Sequence, residues 1–401
     1  MKYVLAIDVA KNKSMATLID NCGEVYFEPY EFNHTLSDFR KLKERINDFV
    51  IFEGDLTVFM ESTSTYHYSV KRFFLEETLY DVRVINPLHS AMHKRNLRKT
   101  KTDKQDCFNL ADLYFSGKVK NYNDHEQYYL NLNVLARQYD FLLHGIIKLK
   151  NRFRMLVNLC FPEYEVVFKG QMIFSDTALS FIEKYPHPDI IAKTRVDALA
   201  NFMAKLNGRH ENYYLRKANL IKENAKFSFP SVSIHDDIVT NLISTTRILK
   251  YQTKEIVNLR ERLVNQARES YLFNPINSIF GLGELTTALI IAELKDIPRF
   301  NNIKEITAYC GLDPSIKQSG ASVNSRGHIS KTGNSHIRRI LFNSVCNIVM
   351  LASRVDTEND ILVYYRKKRS DGKHHYVAVI ACTTKLLRKI FAICKEANLN
   401  M

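Results

Sequence analysis

The chain has 401 residues, room for two or three domains at about 100–200 residues each. Hydrophobic residues at 45% and charged residues at 25% are ordinary for a globular protein, which excludes a disordered chain, a collagen-like repeat and a disulfide-knotted miniprotein. Lys and Arg outnumber Asp and Glu by 57 to 43, a net charge of +14, so a polyanionic partner is expected: nucleic acid first, an anionic membrane surface second.

No apolar run approaches the roughly 18–20 residues of a membrane helix, and Asp8 interrupts the opening apolar run too early for a signal peptide. The cysteines (22, 107, 160, 310, 346, 382 and 394) are odd in number and scattered, with no C-x-x-C pair. That argues against a zinc ribbon or a disulfide framework and leaves reduced thiols in a cytoplasmic protein as the simplest reading.

The first 125 residues alternate between strand and helix signals. Tyr3 to Ile7 is a short apolar run ending at Asp8. Met15 to Ile19 is a second, closed by the turn Asp20-Asn21-Cys22-Gly23, and Glu24 to Phe32 a third. Leu36 to Phe52 has helical spacing, Leu56 to Met60 is a buried strand ending at Glu61, Tyr66 to Leu79 is helical, and Val82 to Ile85 is a strand stopped by Asn86-Pro87. The order implies a mixed sheet with crossover helices, an α/β layer fold. Residues 126–271 change character. Two long amphipathic stretches, Leu130 to Leu159 and Ile234 to Tyr271, predict an antiparallel hairpin or coiled coil, with an unassigned basic stretch, 163–233, between them. Residues 272–401 form a third unit. A helix opens at Gly281-Leu282-Gly283, a Ser/Gly/Asn-rich loop spans Gln318 to Asn334, and His336 to Ser353 and Val377 to Glu396 are helical.

Four features carry chemistry. Asp8 and Glu61 end two strands that this order makes neighbours, and Asp103 and Asp106 share one side of a helix start. Acids at element ends are common caps, so the specificity lies in the order of elements. Carboxylates converging there would repel unless hard divalent ions, Mg²⁺ or Mn²⁺, held them. Two such ions about 3.5–4 Å apart serve in-line displacement at a phosphodiester. The run from Lys94 through Arg95, Arg98, Lys99 and Lys101 to Lys104 abuts these acids and suits backbone phosphates, although such a run also occurs as a solvated loop. Gly281 and Gly283 precede a helix, a turn that can offer N–H groups to a phosphate or simply be a turn. The 318–334 loop is rich in hydroxyls, with Arg326, Lys331, Arg338 and Arg339 nearby. It is either a polar loop or the seat of a serine nucleophile backed by cations.

Together these segments resemble DEDD-type insertion-sequence transposases of the IS110 and IS1111 group, kin to the Piv DNA invertase. The resemblance rests on Ile7-Asp8-Val9-Ala10-Lys11, Met60-Glu61-Ser62-Thr63-Ser64-Thr65-Tyr66, Asn86-Pro87 and Lys101-Thr102-Asp103-Lys104-Gln105-Asp106. It continues in Ile279-Phe280-Gly281-Leu282-Gly283-Glu284, Ala292 to Phe300, Ala308 to Pro314, Gln318-Ser319-Gly320 and Ile329 to Asn334. Ser64 and Cys310 depart from the residues frequent there, and 163–233 departs from the family's pattern and is longer than usual. The resemblance implies a RuvC-like (ribonuclease H-like) domain over 1–125, a helical coiled-coil domain with an insertion over 126–271, and a mostly helical transposase domain over 272–401. It implies Asp8, Glu61, Asp103 and Asp106 as the Mg²⁺ or Mn²⁺ ligands and Ser319 as a nucleophile that links covalently to DNA. It further implies element-end and target DNA, a structured guide (bridge) RNA and a homo-oligomer, dimer or tetramer, as partners, with no membrane. A junction-resolving nuclease would need the acids but not Ser319. A domesticated nucleic-acid-binding protein would have lost them. A sugar-kinase-type ATPase would need a second phosphate hairpin that the sequence lacks.

Overall fold

In a computed structural model, residues 2–63, 65–85, 103–117, 127–207, 211–317, 325–355 and 357–399 are described, with the backbone alone at 103, 127, 171, 207, 211, 298, 315–317 and 325–327. The chain divides into two compact units, 1–124 and 125–401.

The first unit is a five-stranded sheet. Strands β1 (Tyr3–Val9), β2 (Lys13–Asp20) and β3 (Val25–Asn33) form an antiparallel meander. β4 (Leu56–Glu61) lies parallel to β1, and β5 (Asp81–Ile85) lies parallel to β4. The spatial order is β3-β2-β1-β4-β5. Each parallel step needs a crossover, supplied by α1 (Leu36–Asn47) and α2 (His67–Glu77). Alternation along the strands separates two cores. Leu5, Ile7, Val9, Val58 and Met60 pack with Phe39, Leu42 and Ile46 of α1 and Val70, Phe73 and Phe74 of α2. Val4, Ala6, Ile19 and Phe59 face the other way, against Leu110, Ala111 and Leu113 of α3 (Asp103–Phe115). Each fully buried Leu, Ile or Phe contributes roughly 1.5–3 kcal/mol. α1 is shorter than its apolar spacing predicts: Asp48 is its C-cap, and Ile51 and Phe52 lie exposed.

The second unit is built on two long antiparallel helices, α4 (Gln127–Cys160) and α10 (Asp237–Arg268). Tyr128 Oη donates to Gln266 O at one end, and Ser231 N donates to Leu159 O beyond the other. The stretch 163–233 is helical: α5 (Tyr164–Val167), α6 (Asp176–Lys184), α7 (Pro188–Lys193), α8 (Val196–Asn207) and α9 (Glu211–Phe227). It shares a core of Phe153, Tyr164, Phe168, Phe181, Leu199, Ile221 and Leu242 with the far end of the helix pair. The near end contributes Leu132, Ala136, Leu263 and Val264 to a different core, shared with the chain after 272. That part comprises α11 (Phe273–Asn277), α12 (Glu284–Leu294), α13 (Ile303–Tyr309), α14 (Ser335–Arg354), α15 (Asp360–Ser370) and α16 (His375–Leu399). Between α13 and α14 a hairpin pairs β6 (Pro314–Lys317) with β7 (Ser325–Ile329). Residues 325–329 therefore form a strand where composition predicts loop. All seven cysteines are free thiols. Among the described residues no helix is long and apolar enough to cross a membrane.

Candidate functional site

Asp8 and Glu61 lie at the C-terminal ends of two adjacent parallel strands, β1 and β4. The parallel register runs Tyr3↔Leu56 to Ile7↔Met60, and one further step sets Asp8 beside Glu61. Alternation decides which way they point. Val4 and Ala6 face α3, so Asp8 does too; Phe59 faces α3, so Glu61 does too. Both are half-buried. α3 lies across β1, β2 and β4 on that face, pinned by Cys107 Sγ on Met15 O at 3.2 Å, and Met15 is the cross-strand partner of Asp8. Asp106 precedes Cys107, is 8% exposed, and lies one turn above the sheet-packed Leu110. Asp103 is the first residue of α3, three positions earlier.

Sheet order, register and helix placement thus bring Asp8, Glu61 and Asp106 to one face and one edge. Asp103 joins them through the chain; its side chain lies outside the described residues. Among the described side chains, no three of the His, Cys, Asp and Glu type converge within metal-ligating reach. The donor set is all oxygen, which suits Mg²⁺ or Mn²⁺ rather than zinc. The run holding Lys94, Arg95, Arg98, Lys99 and Lys101 lies outside the described residues.

In the second unit, Ser319 also lies outside the described residues, in the segment joining β6 to β7. The feet of that hairpin are built with care. Ser330 Oγ donates to Asp313 Oδ1 at 2.6 Å, and Ser330 N to Asp313 O at 2.8 Å. Gly311, at φ +63°, meets Gly333 backbone to backbone; a Cβ on Gly333 would overlap Tyr309 O and Gly311 N. Asn334 caps α14, accepting from His336 N and Ile337 N, while its Nδ2 donates to Glu293 Oε2 at 2.7 Å. Glu293, 2% exposed, also binds Arg137 of α4 at 2.8 Å, and its carbonyl accepts from Tyr309 Oη. Sequence reasoning assigned Glu293 no role. A carboxylate in the otherwise apolar Ala288–Leu294 run was the available signal.

The cations expected around the serine divide. Arg338 donates to Cys310 O at 2.9 Å and so braces the hairpin foot. Lys331 is exposed and held at φ +57°. Arg326 lies in β7, with its side chain outside the described residues. Gly281, at φ +80°, packs closely on α14, where a Cβ would come within 2.7 Å of Ile348 Cγ1. Gly283 caps α12, whose first turn carries Glu284 in an ion pair with Arg268, so that helix end is already partly neutralised.

Residues 5–162 match the profile of a transposase family of the DEDD, IS110 type, and residues 274–358 match the profile described as the transposase IS116/IS110/IS902 family. The chain is 22% identical over 305 residues to the 43.6 kDa protein of insertion element IS110 from Streptomyces coelicolor, covering 75% of this chain and 72% of the relative. It is 20% identical over 411 aligned residues to the 44.8 kDa protein of insertion element IS116 from Streptomyces clavuligerus, covering 98% and 95%. A pilin gene-inverting protein from Moraxella lacunata is 24% identical over 183 residues, 45% of this chain and 53% of that protein.

Proposed function

This chain belongs to the IS110 family of insertion-sequence transposases and is a DNA-recombining enzyme; from that premise we propose that Asp8, Glu61, Asp103 and Asp106 hold divalent cations and that Ser319 is the nucleophile. The observation that supports the first part is the β1–β4 register, which sets Asp8 beside Glu61 on the face that α3 and Asp106 cover. Mg²⁺ or Mn²⁺ held there supplies Lewis acidity at a phosphodiester. What supports the second part is the profile match over 274–358, which spans Ser319, together with the braced hairpin feet on either side of it.

In the proposed reaction, Ser319 Oγ attacks a DNA phosphorus. An Oγ–P bond forms, the bond from phosphorus to one deoxyribose oxygen breaks, the serine proton passes to solvent, and the released oxygen takes up a proton. The phosphoserine link conserves the energy of the broken ester, so a strand hydroxyl can reverse the step without ATP. Arg326 and Lys331 stand in sequence where cations would offset the charge that develops on the phosphoryl oxygens. The run Lys94, Arg95, Arg98, Lys99 and Lys101, between β5 and α3, contacts backbone phosphates beside the carboxylates. A structured RNA from the element's own end guides target choice, and the enzyme works as a homo-oligomer, with the acids of one subunit near the serine of another. The net charge of +14 suits both nucleic acids.

The test is adduct trapping. Labelled element-end DNA is incubated with protein, guide RNA and Mg²⁺ and run on a denaturing gel. Ser319→Ala should show no protein–DNA adduct, while Ser322→Ala, Ser325→Ala and Ser330→Ala retain it. An adduct that survives in Ser319→Ala but vanishes in one of the others moves the nucleophile to that serine. Cleavage by wild type with no adduct at any time point makes water the nucleophile.

A further inference from the structure

The turn joining α15 to α16 carries a charge excess that the proposed chemistry does not use. It holds Arg366, Lys367, Lys368, Arg369 and Lys373 against a single acid, Asp371. Basic residues at a helix C-terminus complement its dipole, which accounts for some cations in the last turn of α15. It does not account for the rest of the arrangement.

First, the turn is braced rather than loose. Gly372 takes φ +74°, Arg369 Nη1 donates to Lys373 O at 2.7 Å, Lys368 Nζ binds Asp371 at 3.2 Å, and Tyr365 Oη bonds His375 Nδ1 at 2.8 Å. The only acid of the turn is thereby consumed by one lysine. Second, Arg366, Lys367 and Lys373 are exposed, and among the described residues none of them is ion-paired. Other cations of this unit do have acids: Lys385 and Lys389 share Asp360, and Arg247 and Lys250 share Glu183. Third, an exposed aromatic ring follows the turn, three residues after Lys373. Tyr376 is 62% exposed, its ring 6.2 Å from and nearly parallel to that of Phe342, with His374 5.5 Å away. An exposed tyrosine ring presents a flat π-face on which a base can stack.

Unpaired cations on a turn that leads into an exposed aromatic ring match a partner that offers both phosphates and unstacked π-faces. A duplex offers the phosphates but keeps its bases stacked. We propose that the α15–α16 turn binds single-stranded nucleic acid, with backbone phosphates on Arg366, Lys367 and Lys373 and a base on Tyr376. The proposal requires only that the enzyme handle nucleic acid and is independent of the carboxylate and serine chemistry above. RNA and DNA share this chemistry, and the test separates them.

The full-length chain is titrated, over a range of salt, with an oligouridine RNA, an oligothymidine DNA of equal length, and a DNA duplex. Tyr376→Ala should weaken binding of a single strand about tenfold or more and leave the duplex unchanged, while Tyr376→Phe keeps wild-type affinity. Arg366→Gln, Lys367→Gln and Lys373→Gln combined should lower the log–log salt slope for a single strand by about 0.7 per phosphate, near 2 in total. Arg369 is left in place because it braces the turn. The single strand whose affinity Tyr376→Ala reduces more is the one the turn takes. Circular dichroism and the melting temperature confirm that each variant is folded. Unchanged single-strand affinity and slope in these folded variants would overturn the proposal, as would a Tyr376→Ala loss equal for duplex and single strand. The readout is binding without strand cleavage, so a failure of the catalytic assignment leaves this result readable.

Discussion

Glu293 and Arg137 are 156 positions apart in the chain and meet at 2.8 Å, the carboxylate 2% exposed and the guanidinium 40% exposed at its side chain. The pair ties the long helix α4 to the end of α12, and through Asn334 to the foot of the hairpin. Its unequal burial makes the two halves unequal in consequence. Glu293→Gln leaves an arginine whose side chain is 40% exposed, although its Nε is buried. Arg137→Ala leaves a buried carboxylate with Asn334 Nδ2 as its remaining side-chain donor among the described residues. Breaking a buried pair from one side costs about 3–5 kcal/mol when the stranded charge stays dry. Arg137→Ala should therefore approach that cost in urea unfolding, and Glu293→Gln should cost clearly less. The reverse order would mean that the carboxylate is not the dry partner.

The carboxylate cluster makes its own demand on the first unit. Asp8→Asn removes one proposed ligand and one source of repulsion. Losing even an outer-shell partner of a metal ligand typically costs 10–100-fold, so strand exchange in Mg²⁺ should fall by more than about 100-fold. The melting temperature should hold or rise, because fewer like charges face one another. Asp106→Asn should behave alike. Near-wild-type exchange by either variant would remove that residue from the assignment.

The basic run before α3 predicts a change in salt dependence. Arg95→Ala, Arg98→Ala and Lys99→Ala together should weaken duplex binding at low salt and reduce the log–log slope by about 0.9 for each phosphate no longer neutralised. A slope equal to that of wild type would show these side chains standing in solvent.

His34 gives the first unit a pH signature. Its imidazole sits between Ser14 Oγ at 2.7 Å and Ser69 Oγ at 3.4 Å, and burial holds its pKa below the ordinary 6.5. The neutral form is the one the fold favours. Stability from this group is thus present above pH 6.5 and is lost as pH falls through the lowered folded-state value. The melting temperature of wild type should drop between pH 7.5 and 5 by more than that of His34→Asn, with calorimetry as the readout. Parallel curves for the two proteins would assign the acid sensitivity to other groups.

Much of the first unit was readable in the chain. The apolar runs ending at Asp8 and Glu61, the turn at Asp20–Gly23 and the helical spacing from Leu36 are local periodicities of two and 3.6 residues. They report which side of a strand or helix meets a core. Strand alternation alone turns Asp8 and Glu61 to the face of Val4 and Phe59, once the sheet order is known. The start of α12 after Gly283 and the stretches of α4, α10, α14 and α16 were readable for the same reason: each is long enough for its apolar stripe to repeat.

Other features have no local signature. β6 and β7 are four and five residues long, too short for alternation to register, and their pairing depends on Gly311 meeting Gly333 across the hairpin. The helices of 163–233 are mostly short, and their apolar faces make sense only against Phe153 and Leu242 on two distant helices. α1 stops at Asn47 although Phe49 keeps its helical spacing, because the chain must turn there to enter β4. Glu293 is the clearest case. A charge inside an apolar helix reads as an error until Arg137 and Asn334 arrive from elsewhere in the chain, and compensation between distant charges leaves no mark on the sequence around either one.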